Sequence, residues 1–144
     1  METVKGTVNI RWAGARMMLG VDSRGATIPI GFNREEDPAW SAVKPSDLLL
    51  LAAASCSAYD VVDILQKQRE PLEGLDVQCS GEQIKEQPYN FVRMRLKYII
   101  KGAVNPQKVE RAIKLSEDKY CSVLATLRSS LEFSSEYEII AKSL

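Results

Sequence analysis

Three cysteines and no histidine define the chemistry open to this 144-residue chain. Cys56 lies inside an apolar, small-residue run from Leu48 to Ala58, and Cys121 opens the segment Cys121-Ser122-Val123-Leu124-Ala125-Thr126-Leu127. With no imidazole to act as a base, a thiolate must be stabilised by arginine, lysine or a helix N-terminus. That points to thiol redox chemistry rather than hydrolysis. Three scattered cysteines without histidine also make a poor metal-ligand set, so no metal is expected.

The three sulfurs differ in their surroundings. Cys79 alternates with polar neighbours on a strand and reads as a core residue. Cys56 sits in surroundings that raise a thiol pKa unless a cation is delivered to it. Arg11, Arg16 and Arg24 are the candidates; Arg16 is the one charge between Ala13 and Met18, although a solvated strand-end arginine reads the same way. Cys121 stands where a helix starts, so unpaired backbone N–H groups could lower its pKa; equally, it is a small buried residue on the Leu124/Leu127 face. Ser46 or Asp47 could hold a guanidinium, or could simply be first-turn residues favoured by the helix dipole.

Composition narrows the setting. Length and an apolar content of 45% fit one domain spanning 1–144 with a substantial core. Nineteen basic residues balance nineteen acidic ones with no basic stripe, which argues against nucleic acid as a partner. The N-terminus carries charge early and lacks the apolar core of a signal peptide. The longest uncharged stretch, Leu48–Tyr59, is too short to span a bilayer, so no membrane is expected. An odd number of cysteines without export signals points to a reducing cytoplasm.

The elements that must position the thiols follow from periodicity. Val4 to Trp12 alternates as a half-buried strand, and Met17–Val21 and Ala26–Ile30 flank the turn Asp22-Ser23-Arg24-Gly25. Pro29 belongs on an edge or at a strand end. Residues 31–43 read as a loop. Pro45 opens a helix over about Ser46–Arg69, apolar on every side in its first half and ended by Pro71 and Gly74. Leu75–Ser80 and Val92–Lys101 alternate as strands; Asn105-Pro106 caps a helix with Val109, Ala112, Ile113 and Ser116 inward; Leu131–Ile139 is a last strand. This is an α+β fold, antiparallel sheet packed on a long central cysteine-bearing helix. A helix apolar all round needs more cover than one small sheet gives, so a second subunit is expected to supply part of it.

Lys44-Pro45-Ser46-Asp47 running into Ser55-Cys56, with the later Lys119-Tyr120-Cys121-Ser122-Val123, resembles the two cysteine motifs of the OsmC/Ohr family of osmotically inducible and organic hydroperoxide resistance proteins. The resemblance covers nearly the whole chain, and Asp60-Val61-Val62-Asp63-Ile64-Leu65 is similar to a less characterised branch. It implies an intertwined homodimer with Cys56 as peroxidatic and Cys121 as resolving cysteine, without a cofactor. Arg16 is the nearest match to the family's arginine. Asp47 stands beside Ser46, which occupies the place of a glutamate in the best-known members. Met17, Met18, Leu50 and Leu51 would form apolar walls suited to organic hydroperoxides. An external dithiol, lipoyl-type or other, would reset the disulfide. The Ser46 departure leaves an alternative: a catalytically weak module that binds or senses a small apolar molecule at the dimer interface.

Overall fold

The computed structural model describes residues 1–31 and 42–141, which form two compact units, Met1–Leu49 and Leu50–Leu144. Most of the loop expected at 31–43 lies outside the described residues.

The first unit is a three-stranded antiparallel sheet in the order β1 (Asn9–Trp12), β2 (Met17–Val21), β3 (Thr27–Gly31). Gly14 and Ala15, with φ of 100° and 47°, turn the chain between β1 and β2. The Asp22 carboxylate accepts the backbone N–H groups of Arg24 and Ala26, each at 2.8 Å, and closes the second turn. These two hydrogen bonds hold its pKa below the ordinary carboxylate value. That turn also explains why β1 is shorter than the alternation from Val4 predicts. Asn9 pairs with Val21, and beyond Val21 the partner strand bends away, leaving residues 4–8 nothing to pair with. Nor is β1 half-buried as expected: all four of its residues are exposed. Pro29 sits on β3, an edge strand, where its missing N–H breaks no ladder; its carbonyl accepts the Val43 N–H at 3.0 Å.

The second unit is built on α1 (Pro45–Lys67), whose first turn falls in the preceding unit. The helix ends before Pro71 is reached. Arg69 takes a left-handed φ of 58°, Arg69 N–H donates to Gln66 O at 2.9 Å and Glu70 N–H to Leu65 O at 3.0 Å. This is a Schellman termination with arginine in the usual glycine position. Steps of four residues divide the helix. Ala53, Ser57, Val61 and Leu65 are buried, while Leu51, Ser55, Tyr59 and Asp63 are exposed. The first half is therefore not enclosed by its own chain on every side. Length and composition would let α1 cross a bilayer, yet its inner face closes the core of this unit, and Asp60 and Asp63 interrupt its apolar run.

That core joins Ala53, Val61 and Leu65 to Met94, Leu96, Tyr98 and Ile100 of β5 (Phe91–Lys101) and to Val109, Ala112 and Ile113 of α2 (Pro106–Leu115). β4 (Gly74–Gln83) pairs antiparallel with β5, and β6 (Glu132–Ile140) completes the sheet on the other side of β5. The α+β class and the long cysteine-bearing helix are as the sequence predicts. The antiparallel expectation fails for one pair: β5 and β6 run parallel, with Arg93 opposite Glu132 and Ile100 opposite Ile139. The cause is the connection. α2, a π-helical turn (Ser116–Tyr120) and α3 (Ser122–Leu127) form a helical crossover that returns the chain to the end of the sheet where β5 began.

Asn105 fixes the start of that crossover, its side-chain oxygen accepting the N–H groups of Gln107 at 2.9 Å and Lys108 at 3.4 Å. Asn105→Ala is expected to cost about 1 kcal/mol of unfolding free energy, and Asn105→Asp much less, by denaturant titration.

Candidate functional site

Cys56 lies on the flank of α1, half-buried and packed against the core, one residue before the buried Ser57. Cys121 is buried and caps the six-residue α3, its Sγ accepting the Leu124 N–H at 3.5 Å. The π-helical turn delivers it there. Such a turn carries one residue more than an α-helical turn, and its closing bond runs from Cys121 N–H to Ser116 O at 2.8 Å. Nothing in the periodicity of Ser116–Tyr120 announces this geometry.

The fold brings the two sulfurs, 65 positions apart in sequence, within hydrogen-bonding reach of each other. The Cys121 thiol is pushed up to about 11, first by burial and then by its hydrogen bond to Cys56. The expectation that the helix start lowers this pKa is thereby overturned. The N–H groups of Leu124 and Val123 do pull in that direction, but a cap on so short a helix is outweighed by desolvation and by the neighbouring sulfur. Cys79, on β4, is also raised to about 11, by burial alone, as fits a packing residue.

Behind the thiols runs a buried polar chain that crosses the core. Ser57 Oγ lies 2.6 Å from Tyr98 Oη and 2.8 Å from Ser116 Oγ; Ser116 Oγ is 2.9 Å from Asp60 Oδ2; Tyr98 Oη is 3.3 Å from Glu117 Oε2. Ser135 donates to the other Glu117 oxygen at 2.8 Å. Burial raises the Tyr98 phenol above its ordinary value, with smaller contributions from Glu117 and then Cys121, and raises the Glu117 carboxyl as well. Sequence reasoning put Ser116 inward but saw no role for the five residues together. The available signal was polar side chains on core-facing positions: Ser57 and Asp60 three apart on α1, and a tyrosine among Leu96 and Ile100.

The remaining candidates divide between the units. In the second, Leu50 is half-buried against the core and Leu51 is exposed. In the first, Met17 and Met18 lie half-buried on β2, Arg16 is exposed in the turn before it, and Asp47 is exposed in the first turn of α1. Arg16 and Met18 line a mainly apolar cleft of about 280 Å³ with Ala15, Ile30, Gly31 and Pro45. Among the described residues, no group of three or more His, Cys, Asp or Glu side chains gathers to hold a metal ion.

Comparison with known proteins agrees with the fold. The family model described as OsmC-like protein matches residues 36–136. Protein YhfA of Escherichia coli K12 is 33% identical over 133 residues, covering 92% of this chain and 96% of its own length. A hypothetical protein from Aquifex aeolicus VF5 superposes with a TM-score of 0.84 at 29% identity, over 99% of this chain and 100% of that one. An organic hydroperoxide resistance protein OsmC from Legionella pneumophila shares the fold at a TM-score of 0.68 and 15% identity, over 96% and 99% of the two chains.

Proposed function

Because this chain belongs to the OsmC-like family, we propose that it is a thiol-dependent peroxidase that reduces organic hydroperoxides at Cys56 and Cys121. The observation that carries this reading is the pairing of the two thiols, beside which burial raises the Cys121 pKa. In this reading Cys56 is the attacking sulfur and Cys121, whose proton burial retains, is the resolving one. The Cys56 sulfur forms an S–O bond with one peroxide oxygen as the O–O bond breaks, and the departing alkoxide takes up a proton to become an alcohol. Cys121 then attacks the sulfenic acid; the S–S bond forms, the S–OH bond breaks, and water leaves. A dithiol, lipoyl-type or other, reduces the disulfide by exchange.

In this reading Arg16 supplies the positive charge that favours the thiolate and the charge growing on the oxygens, an effect of about 3 kcal/mol. Asp47 orients the guanidinium, and Met17, Met18, Leu50 and Leu51 receive the organic group. The working unit is a homodimer in the cytoplasm. The exposed apolar side chains Ile10, Trp12, Leu51 and Tyr59 support a second subunit, since they are large and unlike an ordinary solvated face. Ser46, in the place of the glutamate of the best-known peroxidases, favours the second reading: a slow module that binds or senses a small apolar molecule.

The deciding experiment treats reduced protein with one equivalent of an organic hydroperoxide and measures the intact mass. Loss of two hydrogens, with the Cys56 and Cys121 peptides joined, is expected within the mixing time. Unchanged mass and free thiols after prolonged exposure would remove the peroxidase reading and leave the binding module.

A further inference from the structure

Three polar groups of one buried residue, Ser116, meet three different elements. Its N–H donates to the Ala112 and Ile113 carbonyls of α2. Its carbonyl accepts the N–H of Cys121, at the head of α3, at 2.8 Å, the bond that closes the π-helical turn. Its hydroxyl donates to Asp60 Oδ2 at 2.9 Å and stands 2.8 Å from Ser57 Oγ, both on α1. A helical serine commonly returns its hydroxyl to a carbonyl of its own helix. Here the hydroxyl crosses to a neighbouring helix instead, and Ser116 and Ser57 are both fully buried.

The two α1 residues that it meets flank the attacking sulfur's own turn. Ser57 follows Cys56 directly, and Asp60 stands one helical turn beyond Cys56. A single residue therefore joins the backbone of one cysteine to the helix segment of the other. We propose that Ser116 is a positioning residue for the thiol pair: its hydroxyl, clamped between Ser57 and Asp60, holds Cys121 at the separation from Cys56 that a disulfide requires. The inference rests on the pairing of these two sulfurs in the reading above, not on peroxide turnover.

Disulfide bridging tolerates little error. The two Cα atoms must lie within roughly 4.4–6.8 Å, and departures from that geometry store strain that makes the bond easier to reduce. Without the Ser116 hydroxyl the π-helical turn keeps its other anchors. The Glu117 carboxylate still accepts from Tyr98 on β5 at 3.3 Å and from Ser135 on β6 at 2.8 Å, and Arg128 still donates to the Glu117 carbonyl at 3.0 Å. Those bonds hold the turn to the sheet and to the end of α3. Its hydrogen-bonded link to α1 is then indirect, through Tyr98, whose hydroxyl also lies 2.6 Å from Ser57 Oγ. Loss of the Ser116 hydroxyl is thus expected to loosen Cys121 relative to Cys56 within an intact fold.

The test equilibrates the full-length protein with graded mixtures of reduced and oxidised dithiothreitol, then counts alkylated thiols by mass after denaturation. As the protein disulfide closes, Cys56 and Cys121 give up two protons and two electrons, and the reagent's ring disulfide takes them up to become the dithiol. The open protein carries three alkyl groups and the closed one a single group, on Cys79. Ser116→Ala is expected to shift the equilibrium at least about tenfold toward the open form, about 30 mV in potential. A side chain that only steadied the fold would destabilise both forms alike and leave their ratio where it was. Asp60 carries the same test at a less buried position, should Ser116→Ala fail to fold. Asp60→Ala removes the acceptor and shifts the ratio in the same direction, whereas Asp60→Asn keeps an oxygen for the Ser116 hydroxyl and stays within about twofold of wild type. A folded Ser116→Ala with the wild-type ratio, or Asp60→Ala and Asp60→Asn alike in theirs, overturns the proposal. Wild type that closes its disulfide in this buffer but not with hydroperoxide ends the peroxidase reading and leaves the positioning role standing. Wild type that never closes it ends the pairing and the positioning role together.

Discussion

Cys56→Ser brings consumption of an organic hydroperoxide, with a dithiol as reductant, down to the rate measured without protein. A serine hydroxyl at that place has no comparably accessible anion, and the oxygen–oxygen bond is then left without a nucleophile. Cys121 does not substitute for it, because burial and the hydrogen bond to its partner keep its proton in place near neutral pH, with a pKa of about 11. Cys121→Ser separates the two roles. One equivalent of peroxide is consumed per subunit, the mass rises by one oxygen instead of falling by two hydrogens, and turnover stops unless a small thiol takes over. Undiminished consumption by Cys56→Ser would end the assignment of that residue, and continued intramolecular disulfide formation in Cys121→Ser would end the other.

Gly102→Ala is expected to cost more than about 3 kcal/mol of stability, the largest effect of any single methyl group added here. Gly102 follows β5 with φ at +123°, a conformation closed to side-chain-bearing residues, and an added Cβ would lie 2.3 Å from the Pro71 carbonyl oxygen. That oxygen is backbone and has no rotamer by which to retreat. Neighbouring hydrogen bonds fix the spot, with Gly102 N–H on Ile140 O and Glu73 N–H on Lys101 O, each at 2.8 Å. Gly25→Ala is the control: its φ is +95°, but nothing lies within 4 Å of the new carbon. It carries backbone strain alone, about 1–2 kcal/mol. Equal denaturation midpoints for the two variants would show that the Pro71 contact is not decisive.

How far these features can be read from the chain depends on whether their cause is local. The strands betray themselves through alternation, and α2 through Asn105-Pro106, because caps and pleats act over a few residues. The end of α1 was harder to place. Proline and glycine suggested themselves as stops, whereas the chain turns at Arg69, a residue that gives no sign of a left-handed φ. The contexts of both cysteines set them apart in the sequence, but the sign of the Cys121 shift does not follow from those contexts. It depends on burial by residues distant in sequence, and that overrides the visible local effect of a helix start. The polar chain was hidden for the same reason. Ser57, Tyr98 and Glu117 belong to three separate elements, and only packing makes them neighbours.

The parallel pairing of β5 with β6 bears on the order in which this protein is assembled. β4 and β5 need only a short reversal, with Gln83 already opposite Phe91, and can zip as soon as both have left the ribosome. The seam with β6 joins Arg93 to Glu132, 39 positions apart in sequence, and cannot close until the helical crossover is in place. β6, synthesised after β4 and β5, is thus the last of the three to dock. Until it does, one side of β5 stays unpaired, and the newborn chain is exposed there to pairing with a neighbour.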